Sequence, residues 1–509
     1  MNPVTKDFLL FSLPLIFIGY VLIKNRLLGA GVILVGYILG ISELLSCKIL
    51  KADVDLFTIL RMDLDMLFMA PAVMKKLFVK VMALTVLMLI IVCFKLMSTE
   101  SKNRFFSYCK RLYYSFLQQC KKGEFHFTTK IVLILLLLIP VLSTNTLKVM
   151  KNIYKETKSY VAYTFCTEEE LFQRMGAVKN YKHQQNIEAV KGKNVVVIYC
   201  ESLENGYLDN SLFPGLTVNL NKMKESSFTC YDNYQNLFGA GWTIGALYAT
   251  QTSFPCLFGH DGNDVFNKVK DTQVVSYANV MKKAGYNNLF LSSANFEFGG
   301  TGNMMRMLGY ELKSFDKYDV ETEKTGWGVH DKDLFEQAKI EYRKMANGAT
   351  PFNLTLLTVD THFTNGIPDK RMQKKIAIDR EKKSMEYCVA SLDYLIGDFY
   401  EFMSKQRGFD NTVLIIIGDH PVMGSVEQTP VVKILNKKER HITLLTNGLP
   451  TRFKEHDKLA YYNMPNFILD SVGIRHNAIF LDDMLGSDAE NNIKANAALY
   501  THLNLKLNQ

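Results

Sequence analysis

The sequence predicts an N-terminal bundle of transmembrane helices followed by an α/β domain with a mainly parallel sheet flanked by helices. Hydrophobic residues make up 48% of the 509 residues, and the long apolar runs are concentrated in the first third of the chain. From residue 191 onward, short β-branched runs alternate with amphipathic stretches, which is typical of buried parallel strands connected by helices. A chain of this length exceeds one ordinary core, so more than one domain is expected.

Residues 1–150 contain four apolar stretches, each close to the roughly 20 residues that a helix needs to cross a bilayer. The predicted spans are residues 7–24, 27–46, 79–97 and 129–147. The segment 54–74 carries Arg61, Asp63 and Asp65, which make a free span costly. We therefore expect it to be an interfacial helix or an additional span.

The loop at residues 95–130 carries eight Lys and Arg residues, so the positive-inside rule places it in the cytoplasm. The next span then brings the rest of the chain to the outer side of the membrane. We interpret the net charge of +9 as a sign of membrane topology and expect no nucleic-acid partner. Residues 151–190 are predicted to form a helical stalk, 191–485 an extracytoplasmic domain and 486–509 a C-terminal tail.

The α/β pattern also predicts individual elements. Strands are expected at 194–200, 287–292, 353–359, 412–417 and 441–446, and helices at 216–226, 274–285, 331–346 and 380–405. Glu201 and the pair Asp419 and His420 each follow a predicted strand directly. In open α/β sheets, ligands bind at the carboxyl ends of the strands, so these three side chains are site candidates.

The stretch 239–251 reads Gly-Ala-Gly-Trp-Thr-Ile-Gly-Ala-Leu-Tyr-Ala-Thr-Gln. A small, flexible run ends in a hydroxyl residue, Thr243, and an Ala-rich apolar segment follows, which indicates a loop that leads into a helix. A hydroxyl in this position meets free backbone N–H groups and the positive end of the helix dipole. We therefore expect Thr243 to face an anion.

Thr243, Glu201, Asp419 and His420 together offer a hydroxyl, two carboxylates and an imidazole. This mixed oxygen and nitrogen set suits one divalent ion, with Mn²⁺ favoured and Zn²⁺ or Mg²⁺ as alternatives. A metal ion lowers the pKa of a bound hydroxyl and activates it as a nucleophile. An acidic residue after a strand is, by itself, more often a turn or a helix cap, so the prediction depends on the three fragments occurring together.

Four further residues are candidates for substrate contacts. His362, in Val-Asp-Thr-His-Phe, follows another predicted strand and is interpreted as a general acid or a phosphate ligand. Two alternatives stay open for His362. It is an ordinary surface histidine, or it binds a second metal ion together with Asp360. Trp327 and His330, in Thr-Gly-Trp-Gly-Val-His-Asp, and Asn295 are expected to line the substrate cleft, although Trp327 also fits a core position.

These motifs resemble the alkaline phosphatase/sulfatase superfamily, and more narrowly its membrane-anchored lipoteichoic acid synthases and phosphoglycerol transferases. The resemblance covers residues 191–475, and the motifs that carry it include Val-Val-Val-Ile-Tyr-Cys-Glu-Ser-Leu-Glu, Gly-Trp-Thr-Ile-Gly, Trp-Gly-Val-His-Asp, Asp-Thr-His and Ile-Ile-Gly-Asp-His. It implies a sulfatase-like domain on the outer face of a bacterial cytoplasmic membrane.

The resemblance also implies a reaction. Thr243 would attack the phosphodiester of a phospholipid, with phosphatidylglycerol favoured, and a glycan or polyol acceptor would then take the phosphoglycerol group. Glu201, Thr243, Asp419 and His420 would hold the metal ion. His362 would contact the glycerol phosphate or relay a proton.

The sequence departs from parts of this family. The run Phe-Gly-Gly-Thr-Gly-Asn, residues 298–303, stands where lipoteichoic acid synthases carry a Trp and an Arg, and is closer to phosphoglycerol transferases that decorate periplasmic glucans. Thr243 is followed by Ile-Gly-Ala-Leu and lacks the Cys-x-Pro-x-Arg context of sulfate ester hydrolases. Two alternatives stay open: phosphoethanolamine transfer onto a lipid or glycan, and an inactive pseudo-enzyme that binds glycan.

Overall fold

The computed structural model describes most of the second half of the chain and parts of the first. The described residues are 15–45 except 17, 75–97, 154, and 157–508 except 178, 182, 259–264, 363 and 425–428. The chain divides into two compact units, Met1–Lys158 and Ser159–Gln509.

The described part of the first unit contains two long helices and a short π-helical turn. Helix α1 spans Arg26–Leu45, helix α2 spans Lys75–Leu96, and the turn spans Ile18–Leu22. The Lys95 ammonium donates hydrogen bonds to the carbonyls of Tyr20, at 2.8 Å, and Ile23, at 2.5 Å. The end of α2 is thereby fixed to the backbone around the π-helical turn.

These helices coincide with two of the predicted spans, 27–46 and 79–97. The predicted span 129–147, the segment 54–74 and most of the span 7–24 lie outside the described residues. Among the helices that the structure does describe, none combines the length and the apolar character that crossing a bilayer requires. The N-terminal membrane bundle stays a prediction.

The second unit contains eleven strands within its described residues. They are β1 (Ala189–Val190), β2 (Asn194–Cys200), β3 (Thr229–Cys230), β4 (Tyr234–Gln235), β5 (Asn287–Ser292), β6 (Glu311–Lys313), β7 (Phe352–Leu357), β8 (Thr412–Gly418), β9 (Leu444–Thr446), β10 (Leu459–Ala460) and β11 (Arg475–His476). Seven form the central sheet in the order β3-β9-β8-β2-β7-β5-β6, and only β9 runs antiparallel to its neighbours. The predicted mainly parallel sheet is confirmed.

The helices of this unit lie between and after the strands. They are α3 (Glu168–Met175), α4 (Val218–Ser226), α5 (Thr243–Thr252), α6 (Val265–Lys268), α7 (Tyr277–Lys283), α8 (Thr301–Met307), α9 (Asp331–Ala346), α10 (Ser384–Ser404), α11 (Val431–Leu435), α12 (Met464–Ser471), α13 (Leu481–Leu485), α14 (Ala489–Ala495) and α15 (Ala497–Leu507). Short 3₁₀ turns connect several of them.

Two hydrophobic cores cover the two faces of the sheet. Strand β2 shows why, because its apolar side chains alternate between them: Val195, Val197 and Tyr199 enter one core. Val196, Ile198 and Cys200 enter the other. A continuous apolar run such as β2 is what a parallel strand with helices on both faces requires.

The predicted elements are largely found. The strands at 194–200 and 287–292 and the helix at 331–346 have the predicted bounds. The strands predicted at 353–359 and 412–417 shift by one or two residues to β7 and β8. The helices predicted at 216–226, 274–285 and 380–405 correspond to α4, α7 and α10 with shorter ends.

Residues 159–190, which we expected as part of a stalk, belong to the second unit. Helix α3 lies in this segment and begins with a capping box, in which Thr167 and Glu170 bond to each other's backbone N–H groups. The segment 486–509, which we expected as a tail, holds helices α14 and α15. Leu499, Leu503 and Leu507 of α15 are completely buried, so this segment is part of the core.

Candidate active site

The candidate site lies where the central strands end. Glu201 directly follows β2, and Asp419 directly follows β8, the parallel neighbour of β2. Cys200 and Gly418 are register partners, and the backbone N–H of Asp419 donates to the carbonyl of Cys200 at 3.2 Å. The two carboxylates are therefore brought together by strand pairing alone, at the edge where parallel sheets bind ligands.

Thr243 is the first residue of helix α5, as its position in the sequence predicted. One glycine in the preceding loop and one in the first turn of α5 allow close contacts at the start of the helix. Gly239 has φ +89, and an added Cβ would lie 2.5 Å from Pro255. Gly245, in the first turn, lets the indole of Trp242 lie so close that a Cβ would meet the ring at 2.8 Å. Every later residue of α5 is buried, so the helix start is held rigidly while Thr243 stays half-buried.

Four predicted residues converge at this point. The hydroxyl Oγ1 of Thr243 lies 3.1 Å from Oε2 of Glu201 and 3.3 Å from Nε2 of His420. His420 Nε2 lies 3.5 Å from Oε1 of Glu201 and 3.4 Å from Oδ2 of Asp419. One ligand atom from each of Glu201, Asp419 and His420 falls within 4.8 Å of the others, and all three residues are buried.

The polar atoms of this cluster fit a divalent metal ion. Oδ2 of Asp419 is buried and accepts no hydrogen bond from any described residue. His420 Nδ1 lies 3.0 Å from the carbonyl of Pro421, which can only accept, so the proton belongs on Nδ1 and the lone pair on Nε2. A histidine ligand typically bonds a carbonyl through its second nitrogen in this way. The donor set, two carboxylates, an imidazole and a hydroxyl, suits Mn²⁺, Zn²⁺ or Mg²⁺.

The electrostatics of the cluster favour bound protons or a bound cation. Burial and the charge of Glu201 raise the pKa of the Asp419 carboxyl to about 7. Burial alone would lower the pKa of His420, but Asp419 and Glu201 outweigh it and the net pKa is raised. Burial also acts to raise the pKa of Glu201, yet His420 and His362 bring it below its ordinary value. A divalent ion would replace these shared protons.

His362 follows β7, the strand on the other side of β2. It is half-buried, and its charge acts on Glu201. Its ring lies 4.4 Å from the ring of Trp327, which in turn meets the ring of Phe298 edge-on at 5.2 Å. Phe298 is 39% exposed, so this row of rings leads from the buried cluster to the surface.

His330 is buried at the start of α9. Its Nδ1 lies 2.9 Å from Oδ1 of Asp360, and Oδ2 of Asp360 accepts the backbone N–H of Asp331 at 3.0 Å. Burial lowers the pKa of His330, but the Asp360 carboxylate raises it more, so the net pKa is above the ordinary value. Asp360 thus accepts from two groups, and it is not part of the cluster of described residues that could hold a metal ion.

Asn295 lies beside Trp327 on the surface. Its backbone N–H donates to the carbonyl of Trp327 at 2.8 Å, and its Oδ1 accepts the N–H of Glu297 at 3.0 Å. The side chain is exposed. The structure therefore places Asn295 beside Trp327 and His362 against Trp327, whereas His330 is buried beside Asp360. Their substrate contacts stay predictions.

A match to a protein-family model identifies the family of this chain. The model of the sulfatase family matches residues 193–505, which is more than half of the chain and includes every residue of the candidate site. The chain belongs to the sulfatase family. The predicted resemblance to the alkaline phosphatase/sulfatase superfamily is therefore confirmed.

Individual relatives of this sulfatase-family chain share less than a third of their aligned residues with it. Phosphoglycerol transferase I of Escherichia fergusonii is 28% identical over 257 residues, covering 49% of this chain and 33% of the relative. The chain thus spans about a third of the length of the curated relatives that it matches. It is also similar to two solved structures. The lipoteichoic acid synthase LtaP from Listeria monocytogenes has a TM-score of 0.47 and 15% identity, over 61% of this chain and 79% of that one.

The second structure is the lipooligosaccharide phosphoethanolamine transferase A (EptA) from Neisseria meningitidis, an integral membrane protein. Its TM-score is 0.46 and its identity 10%, over 93% of this chain and 90% of that one. Both scores are below 0.5, so the family match carries the assignment.

Sequence reasoning missed several polar residues around the cluster of this sulfatase-family domain. Ser202 bonds to both Glu201 and Asp419. Thr358 and Thr361, after β7, bond to the backbone N–H and carbonyl of Glu201 at 3.0 Å and 2.6 Å. The sequence shows hydroxyl residues next to the predicted strand ends, but it does not indicate which groups they bond to. Both threonines lie more than 150 positions from Glu201 along the chain.

Proposed function

We propose that this chain is a metal-dependent transferase that moves phosphoglycerol from phosphatidylglycerol to a glycan or polyol acceptor through a covalent adduct on Thr243. The observation that carries the proposal is the position of the Thr243 hydroxyl, at a helix N-terminus and within 3.3 Å of both Glu201 and His420. A hydroxyl that lies half-exposed beside a buried carboxylate and imidazole is placed to act as a nucleophile.

Glu201, Asp419, His420 and Thr243 are the residues that would hold one divalent ion, with Mn²⁺ favoured and Zn²⁺ or Mg²⁺ as alternatives. When bound, such an ion supplies charge stabilisation and lowers the pKa of a hydroxyl beside it. Oδ2 of Asp419, which has no hydrogen-bond partner among the described residues, and the lone pair that His420 carries on Nε2 support this assignment.

The chemistry of the chain's own residues follows in two displacements. Oγ1 of Thr243 forms a bond to the donor phosphorus, the bond from phosphorus to the diacylglycerol oxygen breaks, and the hydroxyl proton leaves towards Glu201. The departing oxygen takes a proton, a role that we assign to His362. An acceptor hydroxyl then attacks the phosphorus and gives its proton to His362, which restores that residue. The bond from phosphorus to Thr243 breaks, and the threonine oxygen takes its proton back from Glu201. One phosphodiester is consumed and one is formed.

We assign the substrate cleft to the surface next to this cluster. Trp327 and Asn295 would bound it, with His362 at its inner end and His330 behind. The donor would come from the membrane, in keeping with the spans predicted within residues 1–150 and with the prediction that the second unit faces outside the cytoplasm of a bacterial cell. The name of the curated relatives, phosphoglycerol transferase I, supports the choice of the phosphoglycerol group.

Mass spectrometry of the full chain after incubation with phosphatidylglycerol and Mn²⁺ tests the proposal. We expect a glycerol-phosphate adduct on the peptide that contains Thr243, and diacylglycerol as the released product. Thr243→Ala should give neither, whereas Thr250→Ala, which removes a buried hydroxyl from the same helix, should give both. Diacylglycerol release by Thr243→Ala at the wild-type rate would contradict the mechanism.

The same assay distinguishes the alternatives. Phosphatidylethanolamine, supplied alone, should give no diacylglycerol and no adduct. If it reacts and phosphatidylglycerol does not, the chain is a phosphoethanolamine transferase with the same nucleophile. A protein that binds no divalent ion and reacts with neither lipid would favour the third possibility, an inactive pseudo-enzyme that binds glycan.

A further inference from the structure

Ser202 has an unusual backbone for its residue type. Its φ is +53, in the left-handed region, and among the described non-glycine residues only Ser253 shares a positive φ. The region disfavours any side chain, since Cβ crowds the backbone, whereas glycine adopts it freely. Ser202 is also only 1% exposed, and it follows Glu201 directly after the end of β2. A strained backbone at a buried serine indicates that the contacts of its side chain compensate for the strain.

The contacts of Ser202 supply that reason. Its hydroxyl donates to Oε1 of Glu201 at 2.7 Å, and its backbone N–H donates to Oδ1 of Asp419 at 2.8 Å. One residue therefore bonds to one oxygen of each carboxylate. The backbone of His420 adds a second N–H to Oδ1 of Asp419, at 2.7 Å. Hydrogen bonds to ionised carboxylates are short and strong, so these oxygens are held firmly.

Neither Ser202 nor the backbone of His420 bonds to the second oxygen of each carboxylate, although Oε1 of Glu201 also lies 3.5 Å from Nε2 of His420. Oε2 of Glu201 accepts the hydroxyl of Thr243, and Oδ2 of Asp419 is buried with no hydrogen bond from the described residues. The positive φ is what permits this division, because it turns the N–H of Ser202 towards one strand end while its side chain reaches back to the other.

We propose that Ser202 is a positioning residue that commits one oxygen of each carboxylate to the protein and leaves the second oxygen for the divalent ion. The proposal rests on the metal site of the proposed function. It goes further by stating which atoms coordinate, Oε2 of Glu201 and Oδ2 of Asp419, and why the site is formed before the ion arrives. Residues that orient metal ligands typically change metal affinity by about 10- to 100-fold when they are removed.

The test measures the affinity of the full chain, purified in detergent, for Mn²⁺ in competition with a chelator. Ser202→Gly and Ser202→Ala both remove the hydroxyl and keep the N–H, but only glycine relieves the positive φ. We expect both variants to bind Mn²⁺ about 10- to 100-fold more weakly than the wild type, and the metal-free Ser202→Gly protein to melt at a higher temperature than Ser202→Ala.

Ser253→Gly is the matched control. Ser253 is also buried with a positive φ, at +69, and its hydroxyl accepts the N–H of Leu481 at 2.9 Å, at the far end of α5 from Thr243. This variant should bind Mn²⁺ as the wild type does.

Wild-type Mn²⁺ affinity in Ser202→Gly would overturn the role of Ser202 while leaving the metal site in place. A loss confined to Ser202→Ala would also overturn it, because strain and not the hydroxyl would then be responsible. A wild-type chain that binds neither Mn²⁺ nor Zn²⁺ would remove the proposed metal site itself and the role of Ser202 with it.

Discussion

Arg440→Met should destabilise the second unit by about 3–5 kcal/mol, the usual cost of leaving one partner of a buried ion pair behind. Glu204 is completely buried, and the Arg440 side chain is only 19% exposed. The guanidinium donates through Nε to Oε2 of Glu204 at 2.7 Å, and through Nη2 to Oε1. Methionine roughly fills the space of the arginine stem but leaves the carboxylate without its cation.

The same pair holds the segment that carries His420. Oε1 of Glu204 accepts the N–H of Val422 at 2.8 Å, and Nη2 of Arg440 donates to the carbonyl of Val422 at 2.8 Å. Both backbone groups of a residue two positions from His420 thus depend on the ion pair. We therefore expect Arg440→Met to lower phosphoglycerol transfer as well as stability.

Urea unfolding at pH 7, followed by tryptophan fluorescence, measures the stability. The chain has two tryptophans, Trp242 and Trp327, and both lie in the second unit, so the signal reports on that unit. The double variant Glu204→Gln/Arg440→Met should recover much of the loss, because no charge is then left buried. A single variant that loses less than about 1 kcal/mol, the range of an exposed pair, or a double variant no more stable than the single, would refute the reasoning.

Two further changes test the surroundings of the site and the core. Burial, with repulsion from Asp483, raises the pKa of Asp482 from 3.8 to about 7, so its stabilising effect is present below pH 4 and is lost as the pH rises through 7. Asp482→Asn should therefore stabilise the protein by about 1–3 kcal/mol at pH 8 and little at pH 4 in urea unfolding; equal effects at both pH values would contradict the assignment. Gly245→Ala places a methyl group 2.8 Å from the ring of Trp242 and should lower transfer about 10- to 100-fold by shifting Thr243. Gly31 is a helical glycine, and apart from the backbone of its own helix no atom of the described residues lies within 4 Å of a methyl group added there. Gly31→Ala should therefore leave transfer unchanged, and the same loss in both variants would argue against a local effect.

Local sequence patterns predicted the elements whose formation depends on local chemistry. Strand β2 is a run of β-branched residues, and α9 has an amphipathic period and two acidic residues in its first turn, so both bounds could be predicted. Strand β9 begins later than predicted because the backbone N–H groups of Ile442 and Thr443 donate to the carbonyls of Tyr234 and Leu203. The Thr443 carbonyl still accepts the N–H of Gly418, the last residue of β8, at 2.8 Å.

The C-terminal segment carries a leucine pattern that predicts a buried helix, and our sequence prediction overlooked it. Leu499, Leu503 and Leu507 recur every fourth residue, the spacing of one helix face, and they pack into the core.

The candidate site was predictable only in part, for a different reason. Glu201, Asp419 and His420 could be recognised because each follows a strand, and parallel strands end at one edge. The supporting contacts could not, since Ser202 meets Asp419 across 217 positions and Glu204 meets Arg440 across 236. Such contacts depend on strand order, which a local pattern does not encode.

The register between strands β2 and β7 is not fixed by their apolar side chains alone. Strand β2 is apolar on both faces, so sliding it by one residue against β7 would exchange one buried apolar face for another. Polar bonds at the two ends fix the register: the N–H of Phe352 to Asn194 at 3.1 Å, and the N–H of Glu201 to Thr358 at 3.0 Å. A slip of one residue, about 3.3 Å, would break both and carry Glu201 away from Thr243. The bonds that fix the register of the sheet therefore also position the candidate site, and a chain whose strands paired out of register would lose the approach of Glu201 to Thr243.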